Sequence, residues 1–496
     1  MNNGMSSVSL SSDKIETLKK NLTLINPEYE AKKRFSKFKP KEEGKYDVFY
    51  AENEDNFYYP RNFFKAETSK MRKLRNKEVS LKLDVTLRDY QKEFTKDAYD
   101  FEKDTIWNVP CGHGKTLMAI DFLVKMQTKT LIVVPTHFLV RQWVKRIKTF
   151  TDGGLVYLIS NKEVIDNSNN IFIVTIDMFK LLKTNLVEQL NEICDLVIFD
   201  EAHRMGATTY HPAIANLSIY KRLALTATFR RADGRDKILK YHFGDEYIMD
   251  NKLPKATVYP YRTNISCARI VPWAKIPKEF PTEDRNIVEK LYNITDGDLV
   301  KWSIISEKIK DVKIKKRLLK YLKDCLSPMV VNVDTYIAEH PRRIKQLTIL
   351  IKEALAKGRK PLILGKRLST LKYLHEMFKK DFKSVLVTSE LKISDDDVQD
   401  ALLSDAEVIF GITQLAQEGL DVDTIDTLIL IHPLKDTEQA IGRIQRIKEG
   451  KQSPIVIYPI DDNTMYAYMF KNAGKFMRSN AQVKMITSFK EVKDIL

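Results

Sequence analysis

Val109-Pro110-Cys111-Gly112-His113-Gly114-Lys115-Thr116 is the stretch on which the fold turns. Thr105 to Val109 reads as a strand running into it, and Leu117 to Met126 as a helix leaving it. Strand, glycine loop and helix in that order make a cradle for phosphate. Backbone N–H groups around Gly112 and Gly114 wrap the anion, and the helix start adds its positive dipole end. Lys115 brings a full charge, and Thr116 offers a hydroxyl to Mg²⁺. The general pattern G-x-x-x-x-G-K-[ST] asks for glycine at position 109, where Val109 stands.

A second signal, Asp200-Glu201-Ala202-His203, closes the apolar run Leu196 to Phe199. A strand there delivers Asp200 at its C-terminal end to hold Mg²⁺, directly or through water. Glu201 beside it is placed to orient or deprotonate an attacking water. His203 lies near the same site without being the base. Read alone, the two acids are also an ordinary helix start, where Asp and Glu are favoured. A third stretch, Gln439-Ala440-Ile441-Gly442-Arg443-Ile444-Gln445-Arg446, puts two arginines on one face of an expected helix. A guanidinium at a γ-phosphate stabilises transition-state charge by roughly 10³–10⁵ in rate. An isolated R-x-x-R is more often a solvated basic helix. The three signals in sequence predict hydrolysis of ATP with Mg²⁺, the arginines reaching the nucleotide from a second domain.

The regions around these motifs alternate short apolar runs with amphipathic spacing. Leu131–Val134, Ile171–Val174 and Leu196–Phe199 read as strands buried on both faces, with helices at Leu139 to Phe150 and Met178 to Leu190. The alternation returns at Pro361–Leu364, Ser384–Val387, Val408–Phe410, Leu428–Ile431 and Ile455–Ile457, with a helix at Thr370 to Lys380. The expected class is α/β, two tandem doubly wound domains with ligands at the C-terminal strand ends. The expected division is a small N-terminal module at 1–80, a first α/β domain at 81–255, a linker with a basic helical insertion at 256–335, and a second α/β domain at 336–496. Within the first module, Tyr46 to Phe64 reads as short strands.

The chain has 496 residues, enough for several cores, and 43% of them are apolar. No run of 18 apolar residues occurs, so no membrane partner is expected, and the polar start without an apolar h-region predicts a cytoplasmic address. Cys111, Cys194, Cys267 and Cys325 form no C-x-x-C pair and read as free thiols. The net charge is +16, from 82 basic and 66 acidic residues, and favours a polyanionic partner. Basic residues concentrate between Lys301 and Lys323, with Lys313, Lys315, Lys316 and Arg317 at the centre, and again from Lys65 to Lys77. The longer run is either an arm holding duplex or a solvated face with Ile304, Ile305, Val312, Leu319 and Leu322 packed inward. Tyr58, Tyr59, Phe63 and Phe64 read as core before base-stacking, as do Trp107 and Trp143.

The motifs together resemble the superfamily-2 helicases of the DEAH-box group over roughly residues 81–460. Leu87-Arg88-Asp89-Tyr90-Gln91 is similar to the adenine-reading segment, which implies that Gln91 grips the base with Arg88 nearby. Pro110 to Thr116 resembles motif I; Val134-Pro135-Thr136 with Gln142-Trp143 is similar to motif Ia. Thr175 lies in a stretch similar to a strand-contacting motif. Asp200 to His203 resembles motif II and Thr226-Ala227-Thr228 motif III, which implies that His203, Thr226 and Thr228 couple hydrolysis to strand binding. Leu362 to Leu371, with Lys366 and Arg367, is similar to motif IV. Thr413 with Glu418-Gly419-Leu420-Asp421 resembles motif V, and Gln439 to Arg446 motif VI. Pro-Cys-Gly before the loop lysine is similar to the XPB-like branch, which takes in UvsW-type helicases of phages and large DNA viruses. The resemblance implies two RecA-like domains with ATP between them. Thr136, Thr175, Arg367 and Thr413 would touch the strand, and Gly419, Asp421 and Gln439 the nucleotide. It implies a monomeric motor on single-stranded, forked or branched DNA, with RNA as the alternative partner. A non-hydrolysing nucleic-acid scaffold is a third reading.

Overall fold

The computed structural model describes residues 5–9, 13–26, 29–30, 33, 45–64, 79–152, 156–158, 165, 168–206, 210–227, 236–266, 312, 316, 330–388, 403–413, 422–434, 437–446, 448–462, 469–470, 473–474, 477, 481–486 and 489–496. They form two compact units, Met1–Lys252 and Leu253–Leu496.

The first unit is built on β6 (Thr105–Asn108), β7 (Thr130–Val134), β8 (Val156–Leu158), β9 (Ile171–Thr175), β10 (Leu196–Phe199), β11 (Lys221–Thr226) and β12 (Asp245–Ile248). These run in the order β12-β6-β11-β10-β7-β9-β8, and every pairing is parallel. Their side chains divide by alternation between two cores. Ile132, Val134, Leu196 and Ile198 face the helices Lys115–Met126 and His137–Phe150; Leu131, Val133, Val197 and Phe199 face the opposite side. Burial on both faces is why these strands read as continuous apolar runs rather than alternating ones. The single helix expected from Met178 to Leu190 is two, Ile176–Leu181 and Thr184–Ile193. The chain becomes extended between them, with ψ of 134° at Leu182 and 149° at Lys183.

The N-terminal residues dock on this sheet domain rather than standing apart. β1 (Met5–Ser9) and β4 (Ala51–Glu52) flank β5 (Asn56–Pro60), while β2 (Thr23–Ile25) pairs with β3 (Tyr46–Val48). Leu18, Leu22, Phe49, Phe57 and Tyr59 share one core with Ile238 of the helix Asp236–Phe243, with Phe63 and Phe64 packed against it. Arg61 follows β5 and fixes the junction. It forks onto both oxygens of Asp104 while its third nitrogen donates to Ile219 O at 2.6 Å. Burial alone would push the Asp104 carboxyl up. The Arg61 guanidinium, with Arg222 and the Asn62 amide, outweighs it and holds the group low and charged. Forty-three positions separate Arg61 from Asp104, too far for any local sequence pattern to link them.

The second unit carries β13 (Thr257–Ser266), β14 (Pro361–Gly365), β15 (Ser384–Val387), β16 (Val408–Ile412), β17 (Thr427–Leu430), β18 (Ile455–Asp462) and β19 (Gln482–Val483). The order is β15-β16-β14-β17-β18-β13-β19, again parallel throughout. β13 corrects the expected linker at 256–335: its residues lie inside this sheet, between β18 and β19. Pro260 obscured the strand, since proline lacks the N–H a ladder needs. Here its carbonyl accepts from Ile486 N at 3.1 Å, in a bridge beyond the end of β19. Most of the basic insertion lies outside the described residues. Val312 and Lys316 are helical and exposed, so Val312 is not inward-facing as the solvated-face reading required. No helix among the described residues is long and apolar enough to cross a membrane.

The Arg61–Asp104 pair predicts its own test. Asp104→Asn strands a buried guanidinium, a change that typically costs about 3–5 kcal/mol. Urea unfolding should show that loss, and an unchanged midpoint would remove the pair from the account of the junction.

Candidate functional site

The loop, the acid pair and the threonines of the first unit stand at the C-terminal ends of its parallel strands, while Arg88 and Gln91 open the helix Asp89–Ala98. Cys111 to Thr116 follow β6, Thr136 follows β7, Thr175 ends β9, Asp200 follows β10 and Thr226 ends β11. Parallel pairing puts these ends on one edge, which is why residues scattered over the sequence converge.

The loop is shaped by two left-handed glycines, with φ of 84° at Gly112 and 78° at Gly114. Gly114 also lies against Gln91, and a Cβ there would come within 2.4 Å of the Gln91 amide nitrogen. That amide is pinned at both ends. Its oxygen accepts from Arg88 N at 2.9 Å, and its nitrogen donates to His113 O at 2.8 Å. In this structure Gln91 is 2% exposed and braces the loop. His113 is a second brace. Its Nε2 accepts from Lys252 N at 3.0 Å and its Nδ1 faces Cys111 O at 3.3 Å, which sets the proton on Nδ1. Burial depresses its pKa, so the ring is neutral and occupied within the fold, leaving only its backbone for a ligand. The helix then opens at Lys115 without a side-chain cap. Its first internal bond is Met118 N to Gly114 O, so the first-turn amides point out of the helix start, where an anion is favoured.

The two motif II carboxylates are adjacent but electrostatically unlike. Trp143, fully buried, donates its indole N–H to Asp200 Oδ2 at 2.9 Å, and Glu201 N donates to Oδ1 at 2.9 Å. Burial and the neighbouring Glu201 charge push the Asp200 carboxyl up. Burial works on Glu201 in the same sense. The Lys115 ammonium at 3.8 Å, with His203 at 3.3 Å, overrides it and holds Glu201 at about 2. Glu201 also adopts φ of 49°, a left-handed conformation that costs a non-glycine residue roughly 1–2 kcal/mol. His203 Nδ1 lies 3.3 Å from Thr226 Oγ1, so Glu201, His203 and Thr226 form a chain from one strand end to the next.

This donor set fits a nucleoside triphosphate with Mg²⁺. The uncapped helix start and left-handed loop suit the phosphates, while Thr116 and Asp200 would hold the metal. Among the described residues no three His, Cys, Asp or Glu side chains gather around one point. A two-ligand site of this kind suits Mg²⁺, which usually keeps waters and substrate phosphates in its shell.

Thr136 and Thr175 cap helices, their hydroxyls accepting from Leu139 N and Met178 N at 3.4 Å each. In the second unit, Arg367 begins the helix Leu368–Phe378 after β14, and Thr413 follows β16. Gln439 and Arg443 lie on the helix Glu438–Ile444. That helix ends at Ile444, two residues before Arg446; Gln445, which caps it, donates to Pro254 O at 3.0 Å. Thr228, Gly419, Asp421, Lys313, Lys315 and Arg317 lie outside the described residues, and Lys316 is exposed. Trp143 is core, as expected, and its indole N–H also reaches Asp200, a bond no local sequence pattern announces. The available signal was only that a buried indole must satisfy its N–H.

Residues 84–231 match the family described as Type III restriction enzyme, res subunit. A candidate ATP-dependent RNA helicase of Acanthamoeba polyphaga mimivirus, L396, is 26% identical over 379 residues, 74% of this chain and 62% of that protein. The DNA 3'-5' translocase XPB2 of Sulfurisphaera tokodaii is 36% identical over 154 residues, 31% of this chain and 33% of that one. This chain therefore spans less than two thirds of the length of either relative. The solved ATP-dependent Type ISP restriction-modification enzyme LlaBIII bound to DNA superposes with a TM-score of 0.50 at 16% identity. It covers 83% of this chain and 32% of its own. Two α/β units with parallel sheets, in the manner of tandem RecA-like domains, are the fold these observations share.

Gly114→Ala forces a left-handed alanine against the pinned Gln91. It should weaken Mg·ATP binding by about tenfold or more, following the roughly 1–2 kcal/mol of backbone strain; wild-type affinity in a titration would contradict the bracing. Trp143→Phe removes one donor from Asp200. The Mg²⁺ concentration giving half-maximal phosphate release should rise by about 10- to 100-fold, whereas an unshifted Mg²⁺ curve would leave the indole a packing role only.

Proposed function

We propose that the chain is an ATP-dependent DNA helicase or translocase of superfamily 2, of the DEAH-box group and XPB/UvsW-like branch, encoded by a phage or virus. The observation that carries the reading is the meeting of Lys115, Asp200 and Glu201 at one sheet edge, with the two carboxylates held in different electrostatic states. A degenerate scaffold has no use for that arrangement.

In this reading the loop amides and Lys115 bind the phosphates, and Thr116 and Asp200 hold Mg²⁺, which supplies charge neutralisation when bound. Glu201 orients the attacking water. Drawing Lys115 onto a phosphate removes the charge that depresses Glu201 and raises its basicity when it is needed. Arg443 and Arg446 of the second unit reach the same triphosphate, and Gln439 with the segment around Gly419 and Asp421 completes its surroundings. The Glu201–His203–Thr226 chain, extended by Thr228, passes the hydrolytic state to the strand-binding edge. Thr136, Thr175, Arg367, Thr413 and the basic insertion hold phosphates of the strand, so binding weakens with salt. The work is remodelling of forks, branched junctions or displaced strands by a monomer in the cytoplasm. The second reading, an RNA helicase, is favoured by the mimivirus relative, whose name specifies RNA and whose match is the longer of the two.

Phosphate release with single-stranded DNA, forked DNA and RNA tests both. DNA should stimulate it most, whereas stimulation by RNA alone selects the second reading. Lys115→Ala should abolish turnover. Arg446→Ala should spare ATP binding and cut turnover by about 10³ or more. Glu201→Gln should bind ATP without hydrolysing it and stay on DNA as a trapped complex. Undiminished turnover in all three variants would overturn the site.

A further inference from the structure

The second unit contains a cleft with no part in this chemistry. It lies at the C-terminal end of β13 and the start of the helix Pro341–Ala356, and encloses about 310 Å³. Asn264, Arg342, Lys345, Gln346, Ile349 and Phe489 line it together with Thr263, and none of these is acidic. Arg342 and Lys345 are exposed in the first turns of a 16-residue helix, so their charges add to its positive end. Gln346 is 7% exposed. Its nitrogen donates to Thr263 O at 3.0 Å, which fixes the amide orientation, because a carbonyl can only accept. The Gln346 oxygen is thereby left buried without a hydrogen-bond partner among the described residues. Native folds seldom leave such an acceptor without a donor. Ile349 and the half-buried ring of Phe489 supply an apolar wall.

Two cations at the mouth, a buried acceptor that lacks a donor and an aromatic wall describe one ligand chemistry. The volume lies at the small end of ligand sites, which span about 300–1,000 Å³. We propose that this cleft binds a single phosphorylated nucleoside, either free or as one unit of a nucleic-acid strand. Arg342 and Lys345 take the phosphate, Phe489 meets the base, and a sugar hydroxyl or base amine donates to Gln346 Oε1. The cleft belongs wholly to the second unit, whereas the phosphate loop belongs to the first. The proposal therefore stands or falls apart from the hydrolytic site.

The test follows the side-chain amide signal of Gln346 in glutamine-labelled full chain by NMR, assigned through Gln346→Asn. AMP at millimolar concentration and a thymidine oligonucleotide are the two probes. Movement of the signal with AMP alone supports a free nucleotide, and movement with the oligonucleotide alone supports a strand; movement with both supports the shared chemistry. In the Arg342→Glu, Lys345→Glu double variant, affinity for the active probe should fall at least tenfold. The neutral Arg342→Gln, Lys345→Gln pair should give an intermediate loss, guarding against misfolding of the reversed form. No movement with either probe overturns the proposal, as does movement that survives both double variants.

Discussion

The contact between the Gln91 amide and Gly114 governs the rest of the site. A phosphate loop must present amides inward without collapsing, and that demands left-handed backbone at Gly112 and Gly114. Glycine makes the shape accessible but does not hold it. Gln91 holds it, filling the space where a Cβ at Gly114 would stand and bonding the carbonyl of His113. His113 holds it from the other side through Lys252, the last residue of the first unit. Both braces are buried, so solvent cannot compete for their hydrogen bonds.

The same economy appears in the carboxylates. Two acids in sequence would ordinarily repel and share a proton. Lys115, delivered by the loop, lies against Glu201 and keeps it ionised, while Asp200 receives an indole N–H and a backbone N–H. The loop thus shapes the ligand cradle and also assigns unequal roles to its acidic neighbours. Glu201 holds a strained backbone within this set, and such strain persists only where surrounding contacts over-determine it.

Much of this was legible in the sequence because parallel sheets buried on both faces write themselves as apolar runs. The strands around Leu131, Ile171, Leu196, Pro361 and Leu428 were readable for that reason, and so were the loop and acid pair that follow two strand ends. What escaped depends on distant partners. β13 was hidden by Pro260 and by a sequence neighbourhood rich in breakers. Arg61 gave no sign of its buried partner at Asp104, and Trp143, buried in the core as expected, gave none of its bond to Asp200. Gln91 and His113 were read as nucleotide ligands from their position in motifs. Only three-dimensional contact shows that their side chains also brace the loop. Arg446 was placed on a helix by spacing, and the helix ends two residues earlier, at Ile444.

The most direct measurement is a structure of the full chain with Mg²⁺ and a non-hydrolysable ATP analogue. The β- and γ-phosphates should lie on the amides of residues 112–116, with the metal at Thr116 and Asp200. Gly112 and Gly114 should remain left-handed, and the loop backbone should move by no more than about 1 Å, as in preorganised sites. A nucleotide bound elsewhere, or a loop that must release Gln91 and rebuild itself to accept one, would contradict this.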